Sequence, residues 1–504
     1  MMQTPHISCA DYHTRTSYER GGLGGHHLDW GNQPALYKAY PGRDPVLLPQ
    51  DTAFPQKGLW TVLAESGVPP KRTSWGLELL SGILGLTYGL TARAPHPGGD
   101  IYLRSVASAG ALYPCEIYVA APGMPGLESG LYHFSIARHG LTPLRTGDLS
   151  FAVAEALPGS GREAPGLTFF ISAIYFRSAW KYRERSYRYH LLDTGHLLEN
   201  LLLALKAQGL DASVFWDFDD ATVNGLLGLD PQKEVCLTLC TVPGTGHSEA
   251  RGDLPDLGQT VTGASRVAPR ERGYPVVEQM HASGTVMPSP PEKVPAMVDR
   301  LGLVTGQWAS IHPPDPRPGA LGYADAVWKR RSRRNFVPSP MPKSALEALL
   351  YGLCARSEQK PPDQSRAACT GFWVGNAEGY DPGLYLLDAP SCSRTRVKTG
   401  MFTRKMAHTC LDQMWLAPAA VHFLFMSNLA VLDHAWGARG YRYAMMAAGR
   451  MGERLYLMAT ALGLGCCGIG AFYDTEAQAL LGLNQDSRML YLVAVGPVKG
   501  RNTG

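Results

Sequence analysis

Three stretches of this chain have residue types and spacings suited to holding a flat, anionic ligand. The first is Gly463-Leu464-Gly465-Cys466-Cys467-Gly468-Ile469-Gly470, which reads as a Gly-rich turn after a long helix. Glycines at that density let a backbone approach a planar ligand closely and take up positive φ without steric penalty. The second, Arg104 to Pro114, reads Arg-Ser-Val-Ala-Ser-Ala-Gly-Ala-Leu-Tyr-Pro. Ser105, Ser108 and Gly110 offer hydroxyl and N–H donors on a turn where an acceptor-rich ring could dock. A helix N-cap with a tight turn explains the same residues equally well. The third is Arg330-Arg331-Ser332-Arg333-Arg334. Guanidiniums grouped with a serine suit a phosphate, because Arg presents paired donors in a fixed fork. A charge run is more often a solvated basic face. This one leads into an amphipathic helix in the same half as the Gly-rich stretch, which favours phosphate. The vicinal pair Cys466-Cys467 reads as small packing residues, since a vicinal disulfide is strained.

The elements that must position these stretches occur twice. Tyr187-Arg188-Tyr189 recurs as Tyr441-Arg442-Tyr443, 254 residues on. The register holds through Gly195/Gly449, Glu199/Glu453, Leu203/Leu457, Gly209/Gly463, Asp220/Asp474 and Leu227-Gly228-Leu229/Leu481-Gly482-Leu483. The chain is therefore duplicated. In the first repeat, periodicity predicts helices over Trp75–Leu86, Tyr187–Gln208 and Ala221–Leu227. Strands are predicted at Glu116–Ala121, Leu131–Ile136, Leu167–Ile174, Ala212–Trp216 and Val235–Val242. The second predicts helices over Ser344–Ala355 and Tyr441–Leu462, with strands at Phe372–Val374, Gly383–Leu387, Ala419–Met426 and Met489–Val495. Residues 1–243 form the first repeat with an N-terminal extension and 319–504 the second. Residues 244–318 read as a Pro/Gly-rich linker with one short helix near Pro295–Gly302.

Composition narrows the function classes. The 504 residues are 45% hydrophobic and 18% charged, as in ordinary globular chains, and the net charge of +4 favours neither nucleic acid nor an anionic membrane. No apolar run reaches membrane-spanning length, and Met1 to Cys9 lacks a signal-peptide layout. Ten scattered cysteines without a CxxC pair point to free thiols in a reducing cytoplasm and to no metal site.

Together the three stretches resemble the flavin-dependent nitroreductase family, and within it the SagB-type dehydrogenase branch that includes azoline oxidases. Arg330-x-Ser332-x-Arg334 is similar to the family's N-terminal FMN motif. Ser108-Ala109-Gly110-Ala111-Leu112-Tyr113-Pro114 is similar to the branch's Ser-Gly-Gly-Ala-Leu-Tyr-Pro signature. Gly463 to Phe472, with Gly468, Ile469 and Gly470 at its centre, resembles the turn over the isoalloxazine. The resemblance implies an α+β fold of two tandem nitroreductase-like domains forming an intramolecular pseudo-dimer, with FMN between the halves. One pseudo-site would combine Ser105, Ser108, Gly110, Ala111, Leu112 and Tyr113 with Arg330, Ser332, Arg334 and Gly468 to Gly470. The other would need glycines where the chain has Phe215-Trp216, and a serine signature where it has Arg366-Ala367-Ala368-Cys369. One FMN per chain is expected.

The resemblance also makes Lys181 and Tyr182, in Trp180-Lys181-Tyr182, the acid–base pair; an aromatic helix start with a surface lysine is the rival reading. Arg188 and Arg442 read as helix-anchoring ion pairs in preference to ligand contacts. Arg15-Thr16-Ser17 reads as a remnant of the second phosphate motif. The implied reaction is hydride exchange between flavin and a small or peptide-borne substrate, such as azoline-to-azole oxidation. NAD(P)H-dependent nitro or quinone reduction is the alternative within the class, and a flavin-free docking scaffold the alternative outside it. The assembly expected is a monomeric pseudo-dimer or a homodimer.

Overall fold

The computed structural model describes residues 6–25, 27–64, 76–95, 99–158, 165–244, 254, 256–286, 294–315, 318–319, 321–355 and 363–500. Its strands in chain order are β1 (Val46–Leu47), β2 (Leu90–Ala94), β3 (Ile101–Arg104), β4 (Cys115–Ala121), β5 (Gly130–Ser135), β6 (Gly140–Thr146), β7 (Pro165–Ile174), β8 (Ser213–Phe215) and β9 (Glu234–Pro243). The second half adds β10 (Ala309–Ser310), β11 (Cys369–Val374), β12 (Gly383–Asp388), β13 (Ser393–Thr399), β14 (Val421–Asn428), β15 (Gly465–Ile469) and β16 (Ser487–Gly496). Two seven-stranded antiparallel sheets result, ordered β1-β6-β5-β4-β7-β9-β8 and β10-β13-β12-β11-β14-β16-β15. The orders match position for position, so the duplication read from sequence is a duplication of topology. Strands β7 and β14 lie mid-sheet and are buried almost throughout, as residues such as Phe169, Phe170, Phe423 and Phe425 require. A small β2–β3 ribbon stands apart.

Between the sheets run two long helices, Ser186–Ala207 and Arg439–Ala461, each buried over nearly its whole length. They cross at Gly195 and Gly449. A Cβ on Gly195 would lie 2.2 Å from the Met446 carbonyl oxygen, and one on Gly449 would lie 2.3 Å from that of Leu192. Only glycine lets these backbones touch. Around the crossing each half reaches into the other. Arg185 and Arg188 both bind Asp474, each at 2.7 Å, while Arg439 and Arg442 bind Asp220 at 2.5 and 2.9 Å. Burial opposes ionisation of Asp474, but Arg185 and Arg188 outweigh it and hold the carboxyl well below its ordinary range. Arg188 and Arg442 are thus anchoring residues.

Several sequence expectations need correction. The first-repeat helix runs from Leu77 to Tyr88, and Trp75 lies outside the described residues. The linker carries the helices Gly258–Thr262 and Pro275–Ser283 besides the short Met297–Arg300 turn, and parts of it are outside the described residues. Strands β6 and β13 went unread because Pro143 interrupts one and every residue of the other except Val397 is charged or polar. The N-terminal segment does not serve a second phosphate site. Arg185 and Arg188 donate to Thr16 O and His13 O, which places it beside Asp474.

Candidate functional site

A cleft of about 760 Å³ opens between the two halves. Its first wall is the Ser105–Tyr113 loop that joins β3 to β4. Ser108 Oγ donates to Asp193 Oδ2 at 2.5 Å and accepts from Tyr113 N at 2.9 Å, while Ala109 N donates to Asp193 Oδ1 at 3.3 Å. Gly110, Ala111 and Tyr113 all have positive φ, at 65°, 54° and 47°. Two non-glycine residues in that region store strain, which persists where the surroundings over-determine it. Here Tyr113 O accepts from Arg177, and the Tyr113 hydroxyl accepts from Arg104 N.

The second wall comes from the other half. Within 463–470, Gly465–Ile469 form β15 on the sheet edge, and positive φ is confined to Gly463 at the preceding turn. The glycines act by what they lack. A Cβ on Gly468 would lie 1.8 Å from the Tyr491 hydroxyl oxygen, and one on Gly470 would lie 2.6 Å from the Tyr189 ring. The missing side chains let Tyr491 and Tyr189 pack against this strand. Ser332 bridges to Cys466 along the backbone, and its hydroxyl meets Tyr456 OH at 2.9 Å. The same phenol accepts from Gly468 N at 2.7 Å. Arg334 is exposed at the mouth, its guanidinium 5.7 Å from the Trp415 ring centroid. Burial raises the pKa of both Cys466 and Cys467, which are thiols and not a disulfide.

Not every sequence candidate reaches the cleft. Ser108, Gly110, Tyr182, Ser332, Arg334, Gly468, Ile469 and Gly470 line it. Arg330 is instead buried behind the first wall, donating to the carbonyls of Arg104, Ser105 and Val106, so it ties the halves together. Ser105, Leu112 and Tyr113 are buried structural residues of that loop, and Ala111 lies beside them. Lys181 and Tyr182 end the helix Tyr175–Tyr182 and flank Gly110. A Cβ there would be 2.7 Å from Tyr182 OH and 3.3 Å from Lys181 Nζ. Tyr182 packs on Tyr189 at 4.4 Å, whereas Lys181 keeps partial exposure.

The structure adds residues that the sequence reading missed. Asp193 and His196 project from one helix face, joined by Tyr189, Tyr456 and Tyr491. Burial pushes Asp193 up to about 7, against the pull of its hydrogen bonds from Ser108 and Ala109. It is half protonated near neutrality. A signal was present: along the matched helices, Asp193 falls opposite Ala447 and His196 opposite Arg450.

At the symmetry-related place a cavity lined by Arg366, Cys369, Ala447 and Arg450 is present, but bulky side chains stand where the glycine wall would be. Trp216 is buried, with its ring 5.9 Å from Tyr443. Arg439 grips the Trp216 carbonyl, and Asp217 binds the Tyr443 hydroxyl and Gln364. Where one half has Ile469, Gly470 and Ala471, the other has Phe215, Trp216 and Asp217.

Fold and cleft together define a class: a single-chain pseudo-dimer of two related α+β domains with one composite site. The Nitroreductase family profile matches residues 90–245 and 327–497, one match in each half. The chain belongs to that family. A crystal structure assigned as a nitroreductase from Anabaena variabilis superposes with a TM-score of 0.78 at 27% identity, over 98% of this chain and 100% of that one. A Methanocaldococcus jannaschii protein assigned to the nitroreductases is 28% identical over 32% of this chain and 84% of its own. The trifolitoxin-processing protein TfxB of Rhizobium leguminosarum bv. trifolii is 35% identical over 29% of this chain and 40% of its own length. The microcin B17-processing protein McbC of Escherichia coli is 30% identical over 27% of this chain and 52% of its own. Among the described residues, no helix is long and apolar enough to cross a membrane.

Proposed function

We propose that this chain is an FMN-dependent oxidoreductase with one flavin in the composite cleft. The observation that carries the reading is the cleft's construction: a glycine-faced wall, a strained donor loop and exposed Ser332 and Arg334 meet there from different halves. Those residues fit the group. Gly468 and Gly470 carry no side chains, so Tyr491 and Tyr189 pack directly against that wall, and Arg334, exposed beside Trp415 at the mouth, offers donors suited to a phosphate. FMN, when bound, supplies hydride exchange; the protein supplies placement and proton handling. Asp193 and Tyr182 sit at the ring-facing loop, where a half-protonated carboxyl can give or take a proton.

For the substrate we infer a heterocycle in a peptide, oxidised from azoline to azole. The similarity to two peptide-processing proteins supports this. Lys181, beside Gly110 at the cleft's edge, would assist proton removal. The test is the absorbance spectrum and the flavin released per chain. About one FMN per chain is expected, and none after reconstitution, or two, would overturn the reading. Lys181→Ala should collapse azoline oxidation while leaving quinone reduction largely intact.

A further inference from the structure

We propose that Glu453, His196 and Tyr491 form a proton relay ending in the cleft, with the Tyr491 hydroxyl as the group that exchanges a proton with substrate. This rests on reading the cleft as a flavin site. Glu453 is fully buried, and its Oε2 lies 2.7 Å from His196 Nδ1. A carboxylate only accepts, so the neutral imidazole carries its proton on Nδ1. Nε2 is left with its lone pair, 3.1 Å from Tyr491 OH, and the phenol donates to it. Both His196 and Tyr491 line the cleft, and Gly468 is side-chain-free where the phenol oxygen sits. The second carboxylate oxygen, Glu453 Oε1, is buried with no hydrogen-bond partner. An imidazolium satisfies such a carboxylate better than a neutral ring does.

The step balances. As substrate is oxidised, its X–H bond breaks and the proton moves to the Tyr491 oxygen. The phenol's own proton passes to His196 Nε2, and the resulting imidazolium is held by Glu453. The adjacent C–H bond also breaks, and bound flavin would accept its hydrogen with the electron pair as hydride. Reduction of an acceptor runs the same path backwards, with the relay delivering the proton.

The other half lacks this device. Strand register places Thr238 opposite Ile171 where Tyr491 stands opposite Phe425, and Thr238 donates to the Phe215 carbonyl. The position of His196 is taken by Arg450, which together with Arg454 binds Glu199 at 2.9 and 2.5 Å. An Arg–Glu–Arg cluster stands beside the second place, and a Glu–His–Tyr chain beside the cleft. The other groups facing the relay are Asp193 on the same helix, Tyr456 on the facing helix, Cys466 and Cys467 on β15, and Tyr323 and Arg330 near Glu453 and Cys466. Burial keeps these thiols and phenols protonated, so Asp193 is the neighbour that changes charge near neutrality.

The test uses the full FMN-loaded chain and the variants Tyr491→Phe and His196→Gln. Dithionite-reduced protein is mixed anaerobically with the quinone menadione, and flavin reoxidation is followed across pH. Tyr491→Phe, which removes one oxygen atom, should keep its FMN content and slow reoxidation at least about tenfold. The pH-dependent limb should vanish in both variants. A second readout needs no turnover: a low-field proton resonance from His196 Nδ1–H should be present without FMN, shift in Tyr491→Phe and be lost in His196→Gln. Wild-type rate and pH profile in a flavin-loaded Tyr491→Phe protein would overturn the relay alone. Failure of the wild type to hold FMN would overturn the flavin reading and the relay with it. If His196→Gln does not fold, Tyr491→Phe alone decides.

Discussion

Asp193 is the side chain whose state matters most to the cleft. Its carboxyl titrates at about 7 in the fold against an ordinary 3.8. The raised value means that the folded protein prefers the protonated form. That contribution to stability is complete below about pH 4, declines as pH rises and is gone above about pH 7. Asp193→Asn fixes a neutral group that still accepts from Ser108. The variant without flavin should therefore outlast the wild type in urea at pH 8, by on the order of 3 kcal/mol, and match it near pH 4. At the facing wall, Gly468→Ala should abolish flavin retention, because the new methyl would occupy the place of the Tyr491 hydroxyl; equilibrium dialysis with FMN checks this. At this scale the sequence was legible for residues whose backbone does the work. Ser108, Ser332, Arg334 and Gly468 to Gly470 were found from spacing and resemblance. Arg330 was expected at a phosphate and instead holds three carbonyls, because motif position does not reveal where a guanidinium points. Asp193, His196 and Tyr491 belong to no motif, and folding alone brings them together.

The two long helices are the elements on which the composite site depends. Their contact at Gly195 and Gly449 leaves no space for even one methyl. Gly195→Ala should cost about 3 kcal/mol or more through overpacking against the Met446 carbonyl, read from chemical denaturation. Asp474→Ala should also cost about 3–5 kcal/mol, since Arg185 and Arg188 would remain buried without their carboxylate. Both helices were plain in the sequence, since their apolar positions are numerous and their repeat is ungapped. Strands β1 and β10 were not, being two residues long and set by pairing with β6 and β13 alone. The Gly-rich stretch became a strand because β16 offers it a ladder of partners from Leu492 to Gly496, which local glycine content cannot foretell.

For the whole molecule, the duplication predicts more than a topology. Each wall of the open cleft comes from a different half, so a chain cut within the linker should retain FMN only when both pieces are present together. Gel filtration of the separate and co-expressed pieces, with flavin absorbance monitored, checks this outcome. Tandem nitroreductase-like halves were readable because the 254-residue register survives in charged, glycine and aromatic positions alike. The loss of the glycine wall at the second place was readable too, since Phe215 and Trp216 stand where glycines would be. A two-chain ancestor of such an arrangement would carry every substitution twice, once in each copy of a symmetric pair. Joining the halves removes that constraint. Arg450 could become a fixed ion-pair partner without forcing an arginine where His196 faces the cleft, and Trp216 could add packing without closing the site it mirrors. One of the two composite places is thereby free to specialise in holding the fold while the other keeps the chemistry, and the two kinds of selection act on separate residues.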